Sequence, residues 1–229
     1  MQQNDSTYNP IDRNPVIEAE NPMEQMVSSY DTYMRRVTLG REQVLRDVTV
    51  DLAQVKPGDS VLEVGCGTGT LTLAAKRKAG PTGKVCGIDV IPGMLEVSRR
   101  KAAQANLEVA FQPGSIDDIP FPGNQFDAVM GSFMIFHMSE PVRRKGIAEI
   151  YRVLKPGGRL MVLDMALPPQ PLPRAIAGLL FGGMMEHDLR ELIPLMESVG
   201  FSNIETGRAG FRVLGLSVLG YVRGSAQKG

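Results

Sequence analysis

From residue 61 to residue 165 the chain alternates short apolar runs with longer stretches in which apolar residues recur every three or four positions. The runs are apolar on both faces, as strands buried on either side are, and they predict strands over 61–65, 84–89, 107–112, 126–131 and 159–165. The stretches between predict helices over 69–79, 92–104 and 141–154, the second opened by Pro92. Such alternation implies a mostly parallel sheet covered by helices on both faces. Upstream, residues 23–54 have helical spacing broken at Gly40, which predicts two helices, the second near 41–54. Residues 1–22, rich in Asn, Asp, Gln and Pro without a period, read as a flexible segment. Beyond 165 a proline-rich start gives way to an apolar, Met-rich stretch ending at 186. A helix over 187–199 then stops at Gly200, and strands over 202–209 and 211–222 follow. The short turn between those two strands makes them antiparallel.

Composition narrows the function classes. With 229 residues, 43% apolar and 22% charged, the chain can bury one large α/β core. Lys and Arg number 25 and so do Asp and Glu, which argues against a dedicated nucleic-acid binder. The basic clusters 76–78, 99–101 and 143–145 fall inside predicted helices and read as solvated outer faces. Two cysteines, Cys66 and Cys86, lack partners at metal-ligand spacing, so neither a disulfide framework nor a metal site is expected. The first residues have no apolar core for a secretion signal, and no run reaches membrane-spanning length, so the expected location is cytoplasmic.

The chemistry begins at VLEVGCGTGT, residues 61–70. A glycine turn between strand and helix brings backbone close to a ligand at a helix N-terminus. Here Gly65, Gly67 and Gly69 give G-x-G-x-G, with Thr at position 70, rather than the dinucleotide pattern G-x-G-x-x-G. Glu63, two residues upstream in an otherwise apolar strand, would repel a pyrophosphate. Asp89 closes the next strand, where a carboxylate commonly accepts from ribose hydroxyls; the other reading is a helix N-cap. A ligand with a ribose, a cationic group and no phosphate meets these demands, and S-adenosylmethionine has all three features.

These residues, with GSIDDIPFPGNQFDAV (114–129), RVLKPGG (152–158) and SVGF (198–201), closely resemble the class I S-adenosylmethionine-dependent methyltransferases, above all the quinone-biosynthesis and small-molecule methylases. The resemblance covers about 25–222 and implies a Rossmann-like fold. Its features would be a seven-stranded, mostly parallel sheet with an antiparallel C-terminal strand, an N-terminal helical cap over 23–54 and a substrate lid over 166–186. It further implies that Gly65, Cys66, Gly67 and Gly69 line the methionine part of the cofactor, and that Glu63 lies near its amino group. By the same resemblance Asp89 holds the ribose, and Val90 and Met94 flank the adenine. Gly114, Ser115 and Ile116 match the adenine-edge segment; relatives carry Asp where this chain has Ser115, a neutral and weaker acceptor. Gly131 and Ser132 match the segment beside the sulfonium. Tyr30, in SSYDTYM, matches a residue that folds over the cofactor, or else is an ordinary amphipathic helix residue.

Methyl transfer from a sulfonium needs alignment and exclusion of water, and a base only where the acceptor must lose a proton. His137 and Asp164, at the ends of the strands over 126–131 and 159–165, are the candidates for that role; His187 reads as a helix-start cap. No Asn/Asp-Pro-Pro-Tyr motif follows the fourth strand, which reads GSFM, so nucleic-acid bases are not the expected acceptor. The Met- and Leu-bearing stretch 171–186 would suit a small lipophilic, phenolic or quinol acceptor, by C- or O-methylation, or else is core packing. N-methylation of a phospholipid or small amine, a catalytically inactive cofactor binder and a nicotinamide-dependent oxidoreductase are the competing readings. No stable membrane insertion is expected; peripheral membrane contact and the oligomeric state stay open.

Overall fold

A computed structural model describes residues 22–166, 168, 170–181 and 188–228. The segment predicted to be flexible lies outside these residues except for Pro22, and so does His187. Strand β1 (Ser60–Val64) lies inside the sheet, between β2 and β4, with Val61 and Leu62 fully buried. Around it lie β2 (Lys84–Asp89), β3 (Ala110–Pro113), β4 (Phe126–Ser132), β5 (Leu154–Met165), β6 (Phe201–Arg208) and β7 (Leu219–Ala226). The order is β3-β2-β1-β4-β5-β7-β6. β7 runs antiparallel to both β5 and β6, and the pairs among β1 to β5 are parallel. This is the predicted seven-stranded sheet.

The helices are α1 (Pro22–Val37), α2 (Glu42–Leu52), α3 (Thr70–Ala79), α4 (Pro92–Gln104), α5 (Glu140–Val153), α6 (Pro171–Phe181) and α7 (Leu192–Val199). Strand side chains alternate between two cores. Val61, Met130, Met161 and Leu163 pack with Leu45 of α2 and Leu71 of α3, whereas Leu62, Val129, Leu160 and Val162 pack with Ile147 of α5 and Leu192 and Met196 of α7. Each such residue, once buried, contributes about 1.5–3 kcal/mol relative to exposure. The same alternation puts Glu63, between Leu62 and Val64, on the α2/α3 face, and Ser132 with it. Asp164, one residue beyond Leu163, falls on the α5/α7 face.

Strand order reverses between β1 and β4, so the loops after their carboxyl ends splay apart and leave a crevice. The carboxyl edge is covered by α1, the turn into α2, α6 and the loop 209–218.

Four expectations need correction. β3 begins at Ala110, not 107: Leu107 and Val109 pack instead against the cluster of Cys66, Leu73, Leu95 and Phe111. The last strand begins at Leu219, because Phe211, Val213 and Val218 bury themselves from a loop whose Leu214 and Gly215 take left-handed φ. The region predicted as one helix over 187–199 holds a 3-10 turn, Leu189–Glu191, ahead of α7. Finally, the basic clusters are not simply solvated: Lys76 is buried and its Nζ donates to the Gly83 carbonyl at 2.7 Å, and Lys101 pairs with Asp31 of α1 at 2.7 Å.

Candidate active site

Three glycines form the turn after β1, and all have positive φ: Gly65 at 66°, Gly67 at 51° and Gly69 at 78°. That region is open to glycine at little cost. At Gly69 space also decides, because a Cβ would stand 2.7 Å from Ser98 Cβ. The turn is held from below by Cys66, whose N–H donates to the Ile88 carbonyl at 2.9 Å. Burial pushes the thiols of Cys66 and Cys86 up, so both stay protonated and unreactive at neutral pH.

Asp89 ties the turn to the second strand. One carboxylate oxygen accepts from Gly67 N–H at 2.7 Å and the other from Ile91 N–H at 3.0 Å. Asp89 is not the helix N-cap, which is Ile91 without a side-chain capping bond; each Asp89 oxygen keeps a second acceptor direction, so the ribose reading stays open to it. Beside it Val90 is 62% exposed, a free apolar face for an aromatic ring, whereas Met94 is buried beneath.

Glu63 is 2% exposed. Burial, opposed by the Thr72 hydroxyl that donates to it and by the nearby Arg46 guanidinium, leaves its carboxyl pushed up to about 8. Arg46, on α2, is itself 4% exposed. It donates to Ser132 Oγ at 3.3 Å, pairs with Glu42 at 3.1 Å and hydrogen-bonds the phenol of Tyr30. Burial raises the Tyr30 phenol, so it stays a neutral donor and acceptor. An unaided buried carboxylate is costly, and here the counter-charge comes from α2, the helix just before its strand.

Tyr30 lies across Gly67, its Cε1 3.9 Å from where a Cβ would be. The next residue, Asp31, accepts from Thr68 at 2.7 Å and from Lys101 at 2.8 Å. These contacts dock α1 over the glycine turn. Met134, just past β4, closes the other side: a Cβ on Gly65 would meet it at 3.1 Å, and one on Gly131 would meet its sulfur at 3.4 Å.

At the third strand's end Ser115 donates to Asp117, a short bond that lowers the Asp117 carboxyl. The carboxylate absent from position 115 is therefore present one hydrogen bond behind it. Gly114 has no room for a side chain, since a Cβ there would stand 2.9 Å from Pro120, and Ile116 is buried against Gly146.

The two proton-transfer candidates lie apart from Glu63. His137 is exposed at the end of a 3-10 turn, Ile135–His137, that follows β4. Asp164 is 7% exposed and accepts from Met165 N–H at 2.7 Å, on the opposite face of the sheet from Glu63. The structure therefore gathers Tyr30, Glu63, the glycines, Asp89 and Ser132 into one crevice and leaves His137 and Asp164 outside it.

Arg46, Thr72, Asp31, Asp117 and Met134 were not foreseen. Arg46 had a signal: Leu45, Arg46, Thr49 and Val50 form one buried stripe at helical spacing, so a charged residue stood in an apolar face.

The crevice fits S-adenosylmethionine. Its amino-acid end is a zwitterion; Arg46 offers a buried positive charge, and Glu63, protonated at neutral pH by its burial, offers a carboxyl that can ionise against an ammonium, beside glycines that leave the backbone bare. Its ribose would meet Asp89 and its adenine Val90 and Ser115.

Comparisons with known proteins agree. Residues 61–158 match the methyltransferase-domain family. The chain is 32% identical over 183 residues to the ubiquinone/menaquinone biosynthesis C-methyltransferase UbiE of Escherichia fergusonii, covering 76% of this chain and 72% of that protein. It is 37% identical over 147 residues to a demethylmenaquinone methyltransferase of Symbiobacterium thermophilum, covering 63% of this chain and 58% of the relative, so it spans about three fifths of that relative's length. Among solved structures, a SAM-dependent methyltransferase from Aquifex aeolicus superposes with a TM-score of 0.66 at 23% identity, over 89% of this chain and 98% of that one. The [4+2]-cyclase SpnF gives 0.66 at 21% identity over 82% of each chain. At such identities the likeness shows the fold alone, and the second neighbour shows that the fold does not dictate the reaction.

Proposed function

The chain belongs to the class I S-adenosylmethionine-dependent methyltransferases, and from that premise we propose that it methylates a ring carbon of a small lipophilic quinol. The observation that carries the cofactor half is a buried Glu63 and a buried Arg46, which act on each other electrostatically, beside three left-handed glycines. Relatives named as demethylmenaquinone and ubiquinone/menaquinone C-methyltransferases support the acceptor half.

When bound, S-adenosylmethionine supplies a methyl group on a sulfonium, a leaving group already activated by its charge. Glu63 would hold the ammonium of the amino-acid end and Arg46 its carboxylate, while Asp89 accepts from the ribose. Ser115, polarised by Asp117, would accept from the adenine amino group. Docking of α1 through Tyr30 and Asp31 excludes water from this arrangement and fixes its orientation. Ser132 and Met134 form the wall on which the acceptor must stand to be in line. Attack by a quinol carbon requires a hydroxyl proton to leave; restoring the aromatic ring releases the carbon-bound proton and returns one proton to the oxygen, so one proton is released in all. Asp164 or a ring nitrogen of His137, each near the carboxyl edge of the sheet, would take up the leaving proton.

A screen for S-adenosylhomocysteine release tests this reading, with reduced demethylnaphthoquinones, simple phenols and small amines as acceptors. The expected result is turnover with quinols well above the phenols and amines. Turnover confined to amines would replace the acceptor, and cofactor binding without turnover on any acceptor would leave a binding protein.

A further inference from the structure

Among the described residues, eight large apolar side chains are exposed: Tyr33, Leu39, Val44, Val90, Leu172, Ile176, Leu179 and Leu214. All eight belong to elements at the carboxyl edge of the sheet. Tyr33 is on α1, Val44 is in the first turn of α2, and Val90 directly follows β2. Leu172, Ile176 and Leu179 recur at i, i+4 and i+7 along α6, so they share one helix face. Leu39 and Leu214 stand at the tips of two turns, 58% and 61% exposed, each with a left-handed φ and each followed by a glycine. A leucine gains nothing from such a backbone or such exposure in water.

The elements that carry them are locked together. The Arg41 guanidinium lies 5.0 Å over the Phe211 ring, which joins the turn bearing Leu39 to the loop bearing Leu214. Ala177 of α6 shares a buried cluster with Phe211 and Val213. The apolar tips and the α6 face therefore border one buried cluster beside the crevice.

Charge distinguishes the occupant. Most acids on these elements and next to them are engaged by bases, Asp31 with Lys101, Glu42 with Arg46 and Asp188 with Arg190, while Asp47 of α2 accepts from the amide of Gln43. Among the described residues Arg35, Arg36, Arg41 and Arg212 are held in no ion pair, and all four are exposed. The basic rim that α6 lacks in its own sequence is supplied in three dimensions by the α1–α2 turn and the 209–218 loop. Exposed leucines beside arginines that no carboxylate neutralises match the boundary of an anionic bilayer, where the apolar tips enter the acyl layer and guanidinium groups meet phosphates.

We propose that the face formed by the α1–α2 turn, the 211–216 loop and α6 docks on an anionic lipid surface, with the crevice mouth turned toward the bilayer. The inference rests on the quinol reading above only for its purpose: a lipophilic acceptor would pass from the acyl layer into the site without crossing water.

The test is co-sedimentation of the full chain with vesicles of phosphatidylcholine alone and of phosphatidylcholine with phosphatidylglycerol. Binding is expected to the anionic vesicles and to weaken as salt rises. The pair Leu39→Glu/Leu214→Glu, and separately Arg36→Glu/Arg212→Glu, should each lower partition at least about tenfold. Both pairs should leave turnover of a short-chain, water-soluble quinol unchanged. No partition onto anionic vesicles would overturn the proposal, as would partition that neither pair of substitutions lowers. Self-association in vesicle-free buffer that the leucine pair abolishes would overturn it in favour of a second copy as occupant. Vesicle binding without quinol turnover would refute the acceptor reading and leave the docking face standing.

Discussion

Replacing Glu63 by glutamine should stabilise the fold while weakening the site. The carboxyl rises from its ordinary 4.5 to about 8 because burial disfavours its charged form more than Thr72 and Arg46 favour it. For an acid whose folded value is raised, the stabilising state is the protonated one. Its contribution is complete below about 4.5 and is lost as pH climbs to about 8. Glutamine keeps the shape and the bond with Thr72 but never ionises. Relative to the parent, Glu63→Gln should therefore gain about 4 kcal/mol between pH 5 and pH 8.5, against a near-equal stability at pH 5. In a domain of this size that is a rise of roughly 10 °C in Tm at the higher pH. Urea unfolding at both pH values reads it directly. Equal stability differences at the two pH values, or a loss at pH 8.5, would refute the reasoning and show that Glu63 is held charged by Arg46. The same substitution removes a charge-assisted contact, so S-adenosylhomocysteine should bind roughly ten- to a hundredfold more weakly by calorimetry. In the parent at pH 7, binding should release close to one proton as Glu63 meets the ammonium, and the variant should release none.

Arg46→Met should be costly at pH 8.5, by about 2–4 kcal/mol, because it strands Glu63 and Glu42; adding Glu63→Gln should recover much of that in denaturant titration. Gly69→Ala should lose about 2–4 kcal/mol, since its Cβ would overlap Ser98 in a left-handed backbone, whereas Gly67→Ala, with space up to Tyr30, should lose about 1–2 kcal/mol in the same assay. Asp31→Asn, at an ion pair whose carboxylate is 44% exposed, should lower stability by no more than about 1 kcal/mol yet raise the KM for S-adenosylmethionine several-fold, because it loosens α1 from Thr68 and Lys101.

The fold could be read from the chain where burial on both faces makes strands continuous apolar runs, as at Val61–Val64 and Phe126–Gly131. Reading failed where apolar residues are buried without joining the ladder. Phe211, Val213 and Val218 look like a strand in sequence and are a packed loop in space. The glycine turn and Asp89 were legible because their spacing is local. Arg46 and Asp117 were not, because what defines them is tertiary: one reaches Ser132 across 86 positions, the other backs a serine that had looked like a loss. A charged residue on the buried stripe of α2 was the cue that such a contact existed.

The central claim, methyl transfer to a quinol carbon, is tested most directly by incubating the chain anaerobically with methyl-labelled S-adenosylmethionine and a reduced demethylnaphthoquinone, then locating the label by NMR. The account predicts label on a ring carbon, in a methyl group resistant to acid hydrolysis. Label on an oxygen, or no transfer from a cofactor that calorimetry shows to be bound, would contradict it.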